Sequence, residues 1–188
     1  MLLFESIKVV DGAACNLNYH QKRVENSLGF TPSFDIKNLI KTNSKSLQKA
    51  KLIYNSSGEV ESLEISAYKK RDIKSFRLVE SNLEYDKKYL DREEIDGLFA
   101  KKGDADEILI TQNSLLKDTS IANIALFIDK KWLTPAKPLL KGTTRERLLQ
   151  EEKIFESMLI VDDLKLCSKI ALLNAMVEFY VVEDFRIL

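Results

Sequence analysis

The chain is poor in the residues that build metal and disulfide sites. It has 2 cysteines, Cys15 and Cys167, and 1 histidine, His20. The cysteines stand far apart with no CxxC and no Cys/His cluster, which excludes a zinc site and a disulfide framework and makes the cytosol the expected compartment. Only 3 prolines and 6 glycines occur, so there is no Pro/Gly-rich linker, and neither a repeat nor a low-complexity segment is visible. Excess charge of either sign is absent too: 29 Lys+Arg face 29 Asp+Glu, leaving no electrostatic footprint for nucleic acid or an anionic membrane. The local run Lys69-Lys70-Arg71 reads as a solvated turn. No apolar stretch approaches the roughly 18 residues that span a bilayer, and the opening MLLFESIKVVDG sets charge among its apolar residues where a signal peptide would not. The expectation is a protein neither exported nor anchored.

What is present suits a folded domain. Hydrophobic residues make up 45% of the 188 and charged residues 31%, enough for one sizeable core or two small lobes. Leu2 to Val10 reads as a strand ended by Asp11-Gly12, a tight turn with positive φ. Asn18 can cap a helix running to Ser27, with His20, Val24 and Leu28 on one face. Asp35 to Ile40 reads as a short second helix. From Lys51 to Leu78 the stretches KLIYNSSG, SLEISAY and FRLVE alternate with turn signals as in an antiparallel meander. Asp91 to Lys101 has helical periodicity and stops at Lys102-Gly103. The strands EILIT, ANIALFI and KWLTP follow, then a helix RERLLQEE, the apolar runs MLIV and IALLNAM, and a final strand EFYVVEDFRIL.

Gly142-Thr143-Thr144 stands immediately before that late helix, where free backbone N–H groups, hydroxyls and the positive end of a helix dipole suit a phosphate. Taken alone, the segment reads first as an ordinary threonine cap, because capping threonines are common.

Three collinear segments carry a wider resemblance. Leu3-Phe4-Glu5-Ser6-Ile7, Asp11-Gly12 and His20-Gln21-Lys22-Arg23 look like an opening "LFET(I) … DG … HxxR". Asp118-Thr119-Ser120-Ile121-Ala122-Asn123 matches an acidic residue, two small residues, a variable pair and an asparagine. Trp132-Leu133-Thr134-Pro135 with Leu139-Leu140-Lys141-Gly142-Thr143-Thr144-Arg145 is close to "TP … LL-G-(I)-TR". Together they span nearly the whole chain and resemble the class IV aminotransferases, the fold type IV pyridoxal-phosphate enzymes, with the aminodeoxychorismate lyase branch nearest. The resemblance implies an α+β fold of two small α/β lobes with a cofactor cleft between them. The lobes would be residues 1–84 and 85–188, the first trimmed at its N-terminus because members usually begin with a hairpin before the "LFET" strand.

The same resemblance assigns roles. Lys88, in Lys88-Tyr89-Leu90-Asp91-Arg92, matches the family's "K-x-x-N/D-R" and would be the catalytic lysine carrying pyridoxal 5'-phosphate, which requires a partly desolvated amine. Asp118 would face the pyridine nitrogen, where the family usually has the longer glutamate. Arg23 would grip the phosphate with its planar fork, and Asn123, Thr143, Thr144 and Asn174 would complete the cofactor-binding set. His20 reads as a satisfied imidazole rather than a base. The implied activity is conversion of 4-amino-4-deoxychorismate to p-aminobenzoate and pyruvate, a step toward folate. The alternatives are a branched-chain or D-amino acid aminotransferase and a non-catalytic relative. The expected partners are a small-molecule amine substrate and a second copy in a homodimer, with no nucleic acid and no membrane.

Overall fold

Strand β1 (Leu2–Val10) alternates as a half-buried strand should, with Leu3, Glu5, Ile7 and Val9 turned to the core. The computed structural model describes residues 1–188 and divides them into two compact units, Met1–Lys70 with Lys87–Asp91, and Arg71–Asp86 with Arg92–Leu188.

In the first unit, β1 turns through Asp11 (φ 49°) and Gly12 (φ 76°) into β2 (Ala13–Ala14). Both central residues are left-handed, as a two-residue hairpin with the strands' own twist demands. Helix α1 (Leu17–Leu28) follows, then α2 (Ile36–Leu39), β3 (Gln48–Asn55) and β4 (Val60–Ala67). The antiparallel sheet has the order β2-β1-β3-β4. Its apolar face buries Leu3, Ile7, Val9, Ala50, Leu52 and Tyr54 with Val24 of α1 and Ile36 of α2. The α1 cap is Asn16 in a left-handed conformation without a side-chain bond, not Asn18, which lies inside the helix; Gly29 (φ 81°) closes the other end by donating to Glu25. Residues 87–91 lie beside β1: Phe4 N–H donates to Lys88 C=O (3.0 Å), and Leu90 N–H to Leu2 C=O (3.0 Å).

The second unit holds β5 (Ser75–Glu80), α3 (Glu93–Phe99) with a 3-10 turn (Ala100–Lys102), β6 (Glu107–Gln112) and β7 (Leu115–Leu116). It continues with β8 (Asn123–Ile128), β9 (Lys131–Pro135), α4 (Thr143–Gln150), β10 (Phe155–Ser157), β11 (Lys169–Asn174), β12 (Glu178–Val182) and β13 (Arg186–Ile187). Two sheets form, β13-β5-β6-β7 and β10-β9-β8-β11-β12. Phe76, Leu109 and Leu116 of the first share a core with Ile124, Leu126, Ile170 and Leu172 of the second, while Leu148 of α4 covers Ala125, Ala171 and Leu173. Cover on both faces explains why β8 and β11 read as continuous apolar runs instead of alternating.

Two further expectations are corrected. FRLVE is not the third strand of a meander: as β5 it pairs in parallel with β6 and belongs to the second unit, so residues 71–86 lie there rather than in a lobe ending at 84. A parallel partner across α3 is invisible to local alternation. EFYVVEDFRIL is not one strand, because Asp184 (φ 51°) breaks it into β12 and β13, which join different sheets. The Lys69–Arg71 run is exposed, as expected of a solvated segment, but Arg71 is also anchored: its guanidinium pairs with the fully buried Glu107 (3.0 Å), donates to Asp106 C=O and lies 5.0 Å from the Phe99 ring centroid. No helix is long and apolar enough to cross a membrane.

Candidate active site

Within the first unit the chemistry centres on Glu5, which strand alternation turns inward between Leu3 and Ile7 and leaves with no exposed surface. A carboxylate there needs compensation. Helix α1 supplies it, because His20 and Arg23 sit three residues apart and so face the same side. His20 Nδ1 lies 2.6 Å from Glu5 Oε2, Arg23 Nε donates to Oε1 at 2.8 Å, and Arg23 Nη2 closes the fork on Oε2. Burial opposes ionisation of Glu5, but the charge of Arg23 and the hydrogen bond and charge of His20 outweigh it and hold the carboxyl at about 2. Burial and the charge of Glu5 push the Tyr54 phenol well above its ordinary range. His20 is therefore a satisfied, buried imidazole.

Lys88 engages the neighbouring residue of the same strand, its Nζ 4.6 Å from the centroid of the Phe4 ring, with Lys51 Nζ 5.4 Å from that ring. Its backbone is fixed by the bond from Phe4 and by the antiparallel bridge of Leu3 with Tyr89. Phe4 is itself buried, so the Lys88 amine lies against an apolar surface.

In the second unit, the spacing of Asp118 and Asn123 has a structural cause. Residues 119–122 form a tight turn in which Thr119 Oγ1 accepts from Ala122 N–H (2.9 Å) and Thr119 N–H donates to Ala122 C=O (2.8 Å), and Arg92 Nη2 clamps Ser120 C=O (3.0 Å). Asp118 and Asn123 thereby become bridge partners. Asn123 Nδ2 donates to Asp118 Oδ1 and to Leu140 C=O, both at 2.7 Å, while Leu140 N–H donates to Asp118 Oδ2 at 2.9 Å. Burial raises the Asp118 carboxyl to about 6 against the hydrogen bonds from Leu140, Asn123 and Leu139 and the charge of Arg145. Asn123 thus touches Asp118 and the 139–142 loop.

Gly142 is part of this knot. Its φ of −71° is open to any residue, but an added Cβ would lie 2.0 Å from Asn123 Oδ1, so it is close approach that requires glycine. Gly142→Ala is expected to destabilise the protein by about 1–3 kcal/mol, since Asn123 must leave buried partners unpaired. A thermal melt checks this; the same substitution on Asn123→Ala should cost far less, and equal cost in both backgrounds would remove Asn123 as the cause.

Helix α4 starts at Thr143 and no side chain caps it, so first-turn N–H groups stay open to an anion. Thr143 and Thr144 are both buried. Arg145, which sequence reasoning gave no role, is buried beside them, donates to Pro135 C=O (2.8 Å) and Glu156 (2.6 Å), and keeps Nε without a partner. Asn174 is spent on structure: its oxygen accepts from Met176 and Val177 N–H, and its nitrogen donates to Ile121 C=O. Glu5 was also not singled out from the sequence, although a lone acid at an inward position of an apolar strand was a legible signal of a buried ion pair. Lys117, too, is buried, donating to Lys137 C=O at 2.9 Å, and burial followed by the charge of Lys137 lowers its pKa against the opposing pull of Asp118.

Comparison with known proteins identifies the family. The family model "Amino-transferase class IV" matches residues 2–184. An uncharacterized protein of Haemophilus influenzae is 35% identical over 184 residues, covering 93% of this chain and 97% of that protein. A crystal structure from Haemophilus somnus 129PT, provisionally named a 4-amino-4-deoxychorismate lyase, is similar with a TM-score of 0.85 and 32% identity over 93% of this chain and 96% of that one. A hypothetical aminotransferase from Mycobacterium tuberculosis in its PLP-bound form shares the fold, with a TM-score of 0.81 and 19% identity over 96% and 80% of the two chains.

Proposed function

The chain belongs to the class IV aminotransferase family, and from that premise we propose that it is a pyridoxal-phosphate enzyme acting as a lyase on 4-amino-4-deoxychorismate, with pyruvate and p-aminobenzoate as products. The observation that carries the reading is Asp118. It is a buried carboxylate whose charge is disfavoured by burial yet held by three hydrogen-bond donors, which leaves about one of its four acceptor positions open. A protonated ring nitrogen is the kind of cation that would complete it. The residues fit the cofactor in other respects as well: a lysine on an apolar ring, an arginine with Nη1 left over from its ion pair, and an uncapped helix start with two buried threonines.

In this reading Lys88 carries the cofactor and is the base that takes and returns a substrate proton. Asp118 holds a proton at the ring nitrogen, Asn123 and the Leu139–Leu140 amides hold Asp118, and Arg23 with the Thr143–Thr144 helix start bind phosphate oxygens. The bound cofactor supplies an electron sink for the carbon that loses its proton. The near full-length similarity to the Haemophilus somnus protein supports the lyase over a transaminase.

The test is product stoichiometry. Protein supplied with pyridoxal phosphate and 4-amino-4-deoxychorismate should release pyruvate and p-aminobenzoate in equal amounts with no keto acid added, and its visible band should persist during turnover. Bleaching by D-alanine or a branched-chain amino acid, reversed only by a keto acid, with no pyruvate from aminodeoxychorismate, would make it a transaminase.

A further inference from the structure

Glu5 has no part in the chemistry just described, yet it is fully buried and its two oxygens receive His20 and two nitrogens of Arg23. We infer that Glu5 is a positioning residue: it fixes the Nε/Nη2 edge of Arg23 so that the remaining Nη1 is presented to the phosphate. This rests on the phosphate-binding reading of Arg23.

A free arginine side chain spends rotamer freedom each time it grips an anion, whereas one already locked by a bidentate carboxylate has lost that freedom on folding. The lock is well made. Glu5 sits on the core face of β1, which pairs along its length with β3. The site for the carboxylate is set by a sheet rather than a loop. His20 holds Oε2 from the helix turn before Arg23, so the carboxylate cannot rotate to release the fork without breaking a buried bond. The remaining exposure of the Arg23 side chain, 13%, leaves it accessible to a ligand. Competing readings of Glu5 predict other behaviour. A purely structural ion pair would leave phosphate recognition indifferent to its geometry. A partner that the phosphate displaces would release the fork on cofactor binding.

The decisive variant is Glu5→Asp, which keeps the charge but withdraws the carboxylate by one methylene. Titrating the full chain with pyridoxal phosphate and with pyridoxal separates phosphate recognition from ring recognition. The ratio of the two affinities should fall about tenfold in Glu5→Asp, the size of one charge-assisted hydrogen bond, with pyridoxal affinity unchanged. A folded Glu5→Asp protein with the wild-type ratio, or with equal loss for both ligands, overturns the inference. Arg23→Lys, which still compensates Glu5 but lacks the fork, tests the premise: a wild-type ratio there removes Arg23 from the phosphate and the inference with it, while a reduced ratio there beside an unchanged one in Glu5→Asp overturns the inference alone. A measurement on the wild type serves if the aspartate variant does not fold. The Arg23 Nε–H resonance should be protected from solvent exchange both before and after pyridoxal phosphate is added; loss of protection on binding would mean that the phosphate takes the fork from Glu5.

Discussion

Replacing Lys88 with alanine is expected to abolish product formation, by about a thousandfold or more, while leaving a folded protein. The size follows from removing at once the cofactor's attachment and the proton-transferring base, each a large contribution to rate. The fold should survive because residues 88–90 are held beside β1 through backbone groups, Lys88 C=O receiving Phe4 N–H and Leu90 N–H donating to Leu2 C=O. The side-chain contact with the Phe4 ring is a cation–π interaction worth about 0.5–2 kcal/mol. Lys88→Arg should not restore activity, since a guanidinium does not lose its proton at working pH. Borohydride reduction of the wild type followed by digestion and mass measurement should place the cofactor on Lys88. Label on Lys87, or turnover within tenfold of wild type in Lys88→Ala, would reject the assignment.

Asp118→Asn is expected to retain cofactor and lose turnover by about a hundredfold or more, because an amide cannot hold a proton on a ring nitrogen by charge. The substitution also meets a local conflict. Asp118 accepts from Asn123 Nδ2 on one oxygen and from Leu140 N–H on the other, so an amide must turn an NH2 group toward a donor, at a cost of about 1–3 kcal/mol. A pH series separates the effects. The Asp118 carboxyl, raised from 3.8 to about 6 by burial, is a folded-state pKa above the unfolded one. Its contribution to stability is therefore greatest below the unfolded pKa and is lost as pH rises from about 4 to about 6, by roughly 3 kcal/mol over that span. The asparagine variant lacks this slope, so its stability deficit relative to wild type should shrink across that window. Equal turnover in the two proteins would remove Asp118 as the ring partner.

The sequence was most legible where chemistry and periodicity coincided. β1 appears as expected, its Asp11-Gly12 turn has the expected positive φ, and the helix beginning after Gly142 is present. The family resemblance rested on residue types at fixed spacings, and the spacing of Asp118 and Asn123 turns out to be the length of a tight turn closed by a bridge. Other hairpins were less visible. Asn113-Ser114 and Asp129-Lys130 take the same left-handed pairs as Asp11-Gly12 with no glycine at all, because the strands they join impose the turn.

Local pattern alone determined the strands, the main helices, the family and the residue types able to do its chemistry, since periodicity and short spacings are written into consecutive positions. Tertiary structure decided the rest. It assigned β5 to a parallel pairing with β6, divided the last strand between two sheets, and gave residues 87–91 to the first unit and 71–86 to the second. It also set Arg23 and His20 against Glu5, and Asn123 between Asp118, Leu140 and Gly142. Those pairings join residues up to 19 positions apart, counting from Asn123 to Gly142. Their geometry depends on strand register and helix placement, which the hydrophobic core settles and no local stretch of sequence encodes.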